Sequence, residues 1–202
     1  NSLDEYVKDL SRAIKMPEPS YEAMGVKVDD HYRQLNANLL QIENEYYSSV
    51  RPKCVAMSGE RPTAALRRGG IEYVEIRSLD ISPFDPCGVN QNTMRFMEAM
   101  LIYCLLEDSP ALGDGELQEL TRNQIETAKY GRDPNFRLQR GGQAVSVSDW
   151  TSEIIDGILA VAIEIDRHDD NDSYAEAVAQ MQGLIERPDE TPSARILDEL
   201  DQ

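Results

Sequence analysis

The chain has 202 residues, of which 41% are hydrophobic and 28% are charged, so it is long enough for one sizeable domain or two small ones. Its 37 acidic side chains outnumber 20 basic ones and give a net charge of −17, which argues against nucleic acid and anionic membrane surfaces as partners. No apolar run approaches the roughly 20 residues that a membrane span needs. The three cysteines are odd in number and widely spaced, so we expect no disulfide framework and a reducing, cytoplasmic location.

The N-terminal part of the chain alternates between strand-like and loop-like segments. In chain order we predict a helix over 3–15, a strand over 26–34 with a turn at Asp29-Asp30, a strand over 36–47, a loop over 48–70 and a strand over 71–81. The helix follows a capping box at Ser2-Leu3-Asp4-Glu5.

The rest of the chain has the apolar spacing of helices. These are predicted over 91–107, 116–130, 149–167 and 174–186, and from 192 onward, with a loop over 131–146 that has room for a short strand. Strands followed by helices predict an α+β fold, in which antiparallel strands in 1–82 pack with a mainly helical 83–202 as one structural domain. The last helix has a start signal at Thr191-Pro192 but no stop signal, so we expect a piece of a longer protein, truncated at both ends; a trimmed end is the alternative.

The strand over 71–81 has the most informative pattern, because each of its faces mixes large apolar groups with charge. Side chains alternate along a strand, so Glu75 and Arg77 share one face at about 6.8 Å along the chain. A carboxylate and a guanidinium in this arrangement can hold a metal-bound polyanion, the acid through the divalent cation and the arginine through a phosphate. The alternative is an ion pair on a sheet surface.

The preceding strand-like segment is also acidic. On the predicted strand, Glu43, Glu45 and Tyr47 share one face and Asn44 lies on the other. If this strand lies near the one over 71–81, several carboxylates can converge on Mg²⁺, which prefers oxygen ligands. The alternative is an acidic strand edge that resists aggregation.

The loop between these strands is basic in an otherwise acidic protein. Arg51, Lys53 and Arg68 are its candidates for binding a phosphate or a nucleotide, and glycine pairs in the loop allow backbone N–H groups to approach an anion. The alternative is local charge balance. The chain contains neither a P-loop nor a Rossmann fingerprint.

These same segments resemble the proteobacterial glutamate–cysteine ligase (γ-glutamylcysteine synthetase) family. The resemblance lies in Leu40-Gln41-Ile42-Glu43-Asn44-Glu45-Tyr46-Tyr47, Arg51-Pro52-Lys53, Ser58-Gly59-Glu60, Arg68-Gly69-Gly70-Ile71-Glu72-Tyr73-Val74-Glu75-Ile76-Arg77-Ser78-Leu79-Asp80 and Ser193-Ala194-Arg195-Ile196-Leu197. It implies part of a glutamine-synthetase-like fold. Family members are more than twice as long, so the chain resembles a C-terminal-half fragment that is inactive without its N-terminal half.

The resemblance also implies a reaction. ATP phosphorylates the γ-carboxylate of L-glutamate, and the amine of L-cysteine attacks the acyl phosphate in the first step of glutathione synthesis. Glu75 then matches a ligand of Mg²⁺ or Mn²⁺, Arg77 an arginine that contacts the transferred phosphoryl group, and Tyr47 a tyrosine of the cysteine pocket, with Asn44 in the same substrate-binding motif. Two other functions stay open, a related ATP-dependent carboxylate–amine ligase with another acceptor and a non-catalytic acidic interaction domain.

Overall fold

The computed structural model describes residues 2–169 and 172–200. The chain divides into two compact units, Asn1–Asp80 and Ile81–Gln202. The fold is α+β, as predicted, with small antiparallel sheets and a mainly helical C-terminal part. Within the described residues, no helix is both long enough and apolar enough to cross a membrane.

Within the described residues, the first unit contains three α-helices and two antiparallel strand pairs. Its elements are α1 (Leu3–Ala13), α2 (Pro19–Met24), β1 (Lys27–Val28), β2 (His31–Tyr32), a 3₁₀ turn (Glu43–Glu45), β3 (Val50–Lys53), α3 (Pro62–Gly69) and β4 (Tyr73–Ile76). Its core forms where α1 meets α3, around Val7, Cys54, Ala65 and Leu66. The turn predicted at Asp29-Asp30 is confirmed, since both residues have positive φ between β1 and β2.

The strand predicted over 36–47 is wrong, because this segment is a loop that ends in the 3₁₀ turn. Local side-chain bonds replace the sheet ladder. The Asn36 side chain accepts the backbone N–H of Asn38 at 2.9 Å and donates to the carbonyl of Gln41 at 3.0 Å. The carboxylate of Glu45 accepts the N–H of Gln41. Short polar side chains compete with strand pairing in this way, so the predicted alternation of faces does not exist here.

The loop predicted over 48–70 contains regular structure at both ends. Strand β3 pairs antiparallel with β4, with Arg51 opposite Glu75. Helix α3 begins with Pro62 at its first position and is followed by Gly70 at φ 76°, which are the usual start and stop residues of a helix. The strand predicted over 71–81 is shorter than expected, since β4 pairs only where β3 lies beside it.

The second unit confirms the predicted helices to within three residues at their ends. Its elements are α4 (Gln91–Leu106), α5 (Asp114–Tyr130), β5 (Arg137–Arg140), β6 (Gln143–Ser146), α6 (Val147–Asp169), α7 (Ser173–Glu186), a 3₁₀ turn (Pro188–Glu190) and α8 (Pro192–Leu200). Its core lies between α4, α6 and α7 and is formed by Ala99, Ile155, Ile158, Ala162 and Val178. The loop predicted over 131–146 contains a complete hairpin, β5–β6.

Candidate functional site

The pairing of β3 with β4 gathers charged side chains of both signs on one strand pair. The Oε2 atom of Glu75 lies 3.2 Å from Nζ of Lys53 and 3.3 Å from Nη1 of Arg77. The predicted shared face of Glu75 and Arg77 is therefore confirmed. Arg51 lies opposite Glu75 in the register, and Lys53, two residues further along β3, is on the same face of the strand. The side chain of Lys53 can therefore reach Glu75.

A tyrosine completes this group, which we call the β3–β4 cluster: Tyr47, Lys53, Glu75 and Arg77. The guanidinium carbon of Arg77 lies 4.9 Å from the ring centroid of Tyr47, within range of a cation–π contact. The Tyr47 residue is 73% exposed. The side chains of Lys53, Glu75 and Arg77 are 27%, 36% and 35% exposed, so all four groups can reach a ligand from solvent.

The electrostatics of the cluster keep its carboxylate ionised. The hydrogen bond from Lys53 is the main cause that lowers the pKa of Glu75 below its ordinary value of 4.5, and the charge of Arg77 acts in the same direction. Two cations against one carboxylate leave the cluster with a net positive charge. This arrangement attracts an anionic ligand in a protein whose overall charge is strongly negative.

The other predicted site residues lie apart from these contacts. Asn44 is exposed within the 3₁₀ turn. Arg68 forms a two-bond ion pair with Glu60, Nε to Oε1 and Nη2 to Oε2, both at 3.0 Å, and its Nη2 also donates to the carbonyl of Val55 at 2.9 Å. These bonds fasten the loop that leads into α3.

Arg51 is also a predicted phosphate contact, but in the structure it is buried and only 5% exposed. Among the described residues, its Nε atom has no hydrogen-bond partner. Its guanidinium lies beside the hydroxyl of Tyr6, where it opposes the effect of burial, which raises the pKa of Tyr6. Arg51 is thus buried within the first unit.

The predicted convergence of carboxylates on one metal is wrong for the described part of the chain. Glu43 is buried and accepts two hydrogen bonds from Thr63, and Glu45 accepts the backbone N–H of Gln41. In residues 2–169 and 172–200, no group of three or more acidic, histidine or cysteine side chains is close enough to hold a metal ion. Glu75 is a ligand of the type that Mg²⁺ prefers, but it is a single carboxylate.

Two contacts in the first unit have weak signals in the sequence. Lys53 could not be paired with Glu75 without knowing that β3 exists. No motif marks Thr63 as the partner of Glu43, although Pro62 before it and Gly70 after it mark a helix with Thr63 in its first turn.

The sequence and the fold of this chain are similar to those of known ligases. The sequence model of the family described as Glutamate-cysteine ligase matches residues 1–127. The structure of a glutamate–cysteine ligase from Francisella tularensis in complex with AMP is 35% identical and superimposes with a TM-score of 0.89, covering 100% of this chain and 40% of that one. Enzymes named glutamate–cysteine ligase are 47% identical over 206 residues in Alcanivorax borkumensis and 44% identical over 197 residues in Pseudomonas paraeruginosa.

The chain belongs to the glutamate–cysteine ligase family. The match covers 100% and 98% of this chain but only 39% and 37% of those two relatives. The chain therefore spans about two fifths of the length of the curated relatives it matches.

Proposed function

We propose that this chain is part of an enzyme that joins the γ-carboxylate of L-glutamate to the amine of L-cysteine at the expense of ATP, the first step of glutathione biosynthesis. The observation that carries the proposal is the β3–β4 cluster, which lies within the residues matched by the family. The chain also has three free thiols, Cys54, Cys87 and Cys104, which support a reducing cytoplasm as the location of the protein.

The proposed reaction has two steps. A γ-carboxylate oxygen of glutamate attacks the terminal phosphorus of ATP, and the bond from that phosphorus to ADP breaks. The amine of cysteine then attacks the acyl carbon, the bond to phosphate breaks, and the amine loses a proton to a base. The products are γ-glutamylcysteine, ADP and phosphate.

Lys53 and Arg77 suit the first step, because negative charge is concentrated around the phosphoryl group as it transfers. Arg77 presents a planar guanidinium that can donate two parallel hydrogen bonds to phosphoryl oxygens, and Lys53 adds a compact charge next to it. Positioned charges of this kind lower the barrier without moving during the reaction. We propose these two cations as the phosphate contacts in preference to Arg51, which is buried, and Arg68, whose guanidinium already makes three hydrogen bonds to Glu60 and Val55.

Tyr47 suits the second step, as a wall of the pocket for the amine acceptor. Its ring is exposed in the segment between the 3₁₀ turn and β3 and lies against the guanidinium of Arg77. An acceptor bound against this ring would therefore lie close to Arg77, the proposed contact of the phosphoryl group. Asn44, three residues before it and exposed, belongs to the same proposed substrate-binding segment.

A divalent cation, Mg²⁺ or Mn²⁺, fits one part of this site. Glu75 would supply one carboxylate oxygen to it, and both ion pairs of Glu75 make their closest contact through Oε2. When bound, such an ion neutralises phosphate charge. The remaining ligands would come from the part of the ligase that lies outside these 202 residues, and the same part would complete the substrate pockets. We therefore propose that the isolated chain has no activity.

The test is ADP release from Mg²⁺-ATP and L-glutamate, with and without L-cysteine, by the full-length ligase and by this chain alone. We expect cysteine-dependent release from the full-length protein, γ-glutamylcysteine as the product by mass, and none from the chain alone. Activity with another amine and not with cysteine would favour the related ligase with a different acceptor. Absence of both ATP binding and turnover in the full-length protein would favour the non-catalytic interaction domain.

A further inference from the structure

One acidic side chain of the first unit is buried and does not belong to the β3–β4 cluster. Glu43 is 5% exposed and opens the 3₁₀ turn Glu43–Glu45. Its Oε2 accepts the backbone N–H of Thr63 at 2.9 Å, and its Oε1 accepts the Thr63 hydroxyl at 2.8 Å. A buried carboxylate is costly unless it is hydrogen-bonded, so both oxygens are committed to this one partner.

The partner, Thr63, lies at the start of helix α3. Thr63 follows Pro62 in the first turn of α3, where backbone N–H groups lack partners within the helix. The preceding residue Arg61 makes no side-chain capping bond within the part of the chain that the structure describes. Glu43 therefore caps α3 from 20 residues away in sequence, with a charge that favours the positive end of the helix dipole.

The contact of Glu43 with Thr63 also fixes the turn that follows Glu43 in the chain. The 3₁₀ turn closes with the N–H of Tyr46 donating to the carbonyl of Glu43, and the ring of Tyr46 packs edge-on against Tyr6 of α1 at 6.0 Å between centroids. Glu43 thus fastens the turn to α3, and Tyr46 fastens it to α1. Since Val7 of α1 and Leu66 of α3 belong to one buried cluster, both attachments are to the same packed pair of helices.

Tyr47 is the next residue, between this turn and β3. Its ring is largely exposed and lies 4.9 Å from the guanidinium carbon of Arg77. The backbone is held on both sides of it, by the turn before it and by the carbonyl of Ser49 after it, which accepts the N–H of Arg77 at 2.8 Å. The turn is therefore one of two attachments that fix the position of Tyr47 over the guanidinium.

We infer that Glu43 is a positioning residue: its carboxylate, bound to Thr63, holds Tyr47 over Arg77 and so sets the geometry of the amine-acceptor side of the site. The inference rests on the proposed function. Replacing Glu43 by Gln keeps its size but leaves one acceptor oxygen for two donors, so one Thr63 donor loses its partner and the turn shifts. A small displacement of a group that contacts the substrate can reduce the catalytic efficiency of an enzyme by a large factor.

The experiment measures steady-state kinetics of the full-length ligase. For Glu43→Gln we expect a rise of roughly tenfold in KM for L-cysteine, with KM for ATP within about twofold of wild type. Thr63→Val removes the hydroxyl donor and should also raise the KM for L-cysteine. Thr63→Ser keeps the hydroxyl and should retain the wild-type KM. Glu116→Gln makes the same chemical change at an exposed position of α5 and is the matched control.

A double-mutant cycle separates positioning from mere structural support. If Glu43 acts through Tyr47, then Glu43→Gln should add no further increase in KM for cysteine once Tyr47 is replaced by Ala. Additive effects, an unchanged KM in Glu43→Gln, or a uniform loss of all parameters that follows the melting temperature would each overturn the inference. Absence of cysteine-dependent turnover in the wild type would overturn the proposed function, and the inference with it.

Discussion

Asp166 provides a quantitative test of how the second unit is held together. It lies on α6, is 4% exposed, and accepts two backbone N–H groups from the first turn of α7, Tyr174 to Oδ1 at 3.0 Å and Ala175 to Oδ2 at 2.8 Å. Asp166→Ala removes both acceptors. Loss of a cap costs about 1–2 kcal/mol, and leaving two partly buried donors unpaired raises the cost to roughly 2–3 kcal/mol.

The assay is thermal and urea unfolding followed by circular dichroism. For a protein of this size, 2–3 kcal/mol corresponds to a drop of about 5–10 °C in the unfolding midpoint. Asp156→Ala is the control, because Asp156 is exposed on the same helix and its replacement should change the free energy of unfolding by less than about 0.6 kcal/mol. Equal shifts for the two variants, or no shift for Asp166→Ala, would refute the capping argument.

Two further predictions follow from close contacts. Gly157→Ala should lower the free energy of unfolding by about 1–2 kcal/mol, because a Cβ at this position of α6 would overlap the ring of Tyr103 and overpacking costs more than the roughly 1 kcal/mol gained in helix propensity; a higher melting temperature in the variant would contradict this. Lys53→Met should raise the pKa of Glu75, since the hydrogen bond from Lys53 is the main cause of its lowering below 4.5. In the wild type, the lowered pKa means that the stabilisation from ionised Glu75 is fully present above pH 4.5 and is lost as the pH falls through the folded value. Carbon NMR titration of the Glu75 carboxyl measures it, and equal midpoints in wild type and variant would count against the ion pair.

The helical part of the fold could be predicted because its signals are local. Apolar spacing and capping residues within each segment were enough to place α4, α5, α6 and α7. The strand over 36–47 failed for an equally local reason, since the Asn36 and Glu45 side chains satisfy the backbone that a strand would have paired.

The candidate site was only partly predictable because its contacts are between segments. Glu75 and Arg77 share a face by simple alternation, so their proximity could be predicted. The bonds of Lys53 to Glu75 and of Glu43 to Thr63 join residues about 20 positions apart and depend on the pairing of β3 with β4 and on helix α3. Arg51 shows the opposite case, in which a residue chosen for its charge is buried by tertiary packing.

The most direct test of the central claim is the cysteine-dependent ADP release of the full-length ligase carrying Arg77→Ala. We expect the loss of a positioned charged donor to cost about 2–4 kcal/mol of transition-state stabilisation, or roughly 30- to 1000-fold in kcat. Arg122→Ala, which removes an exposed arginine paired with Glu126 on α5, should stay within about twofold of wild type. Full activity in Arg77→Ala would contradict the assignment of the β3–β4 cluster as the site of phosphoryl transfer.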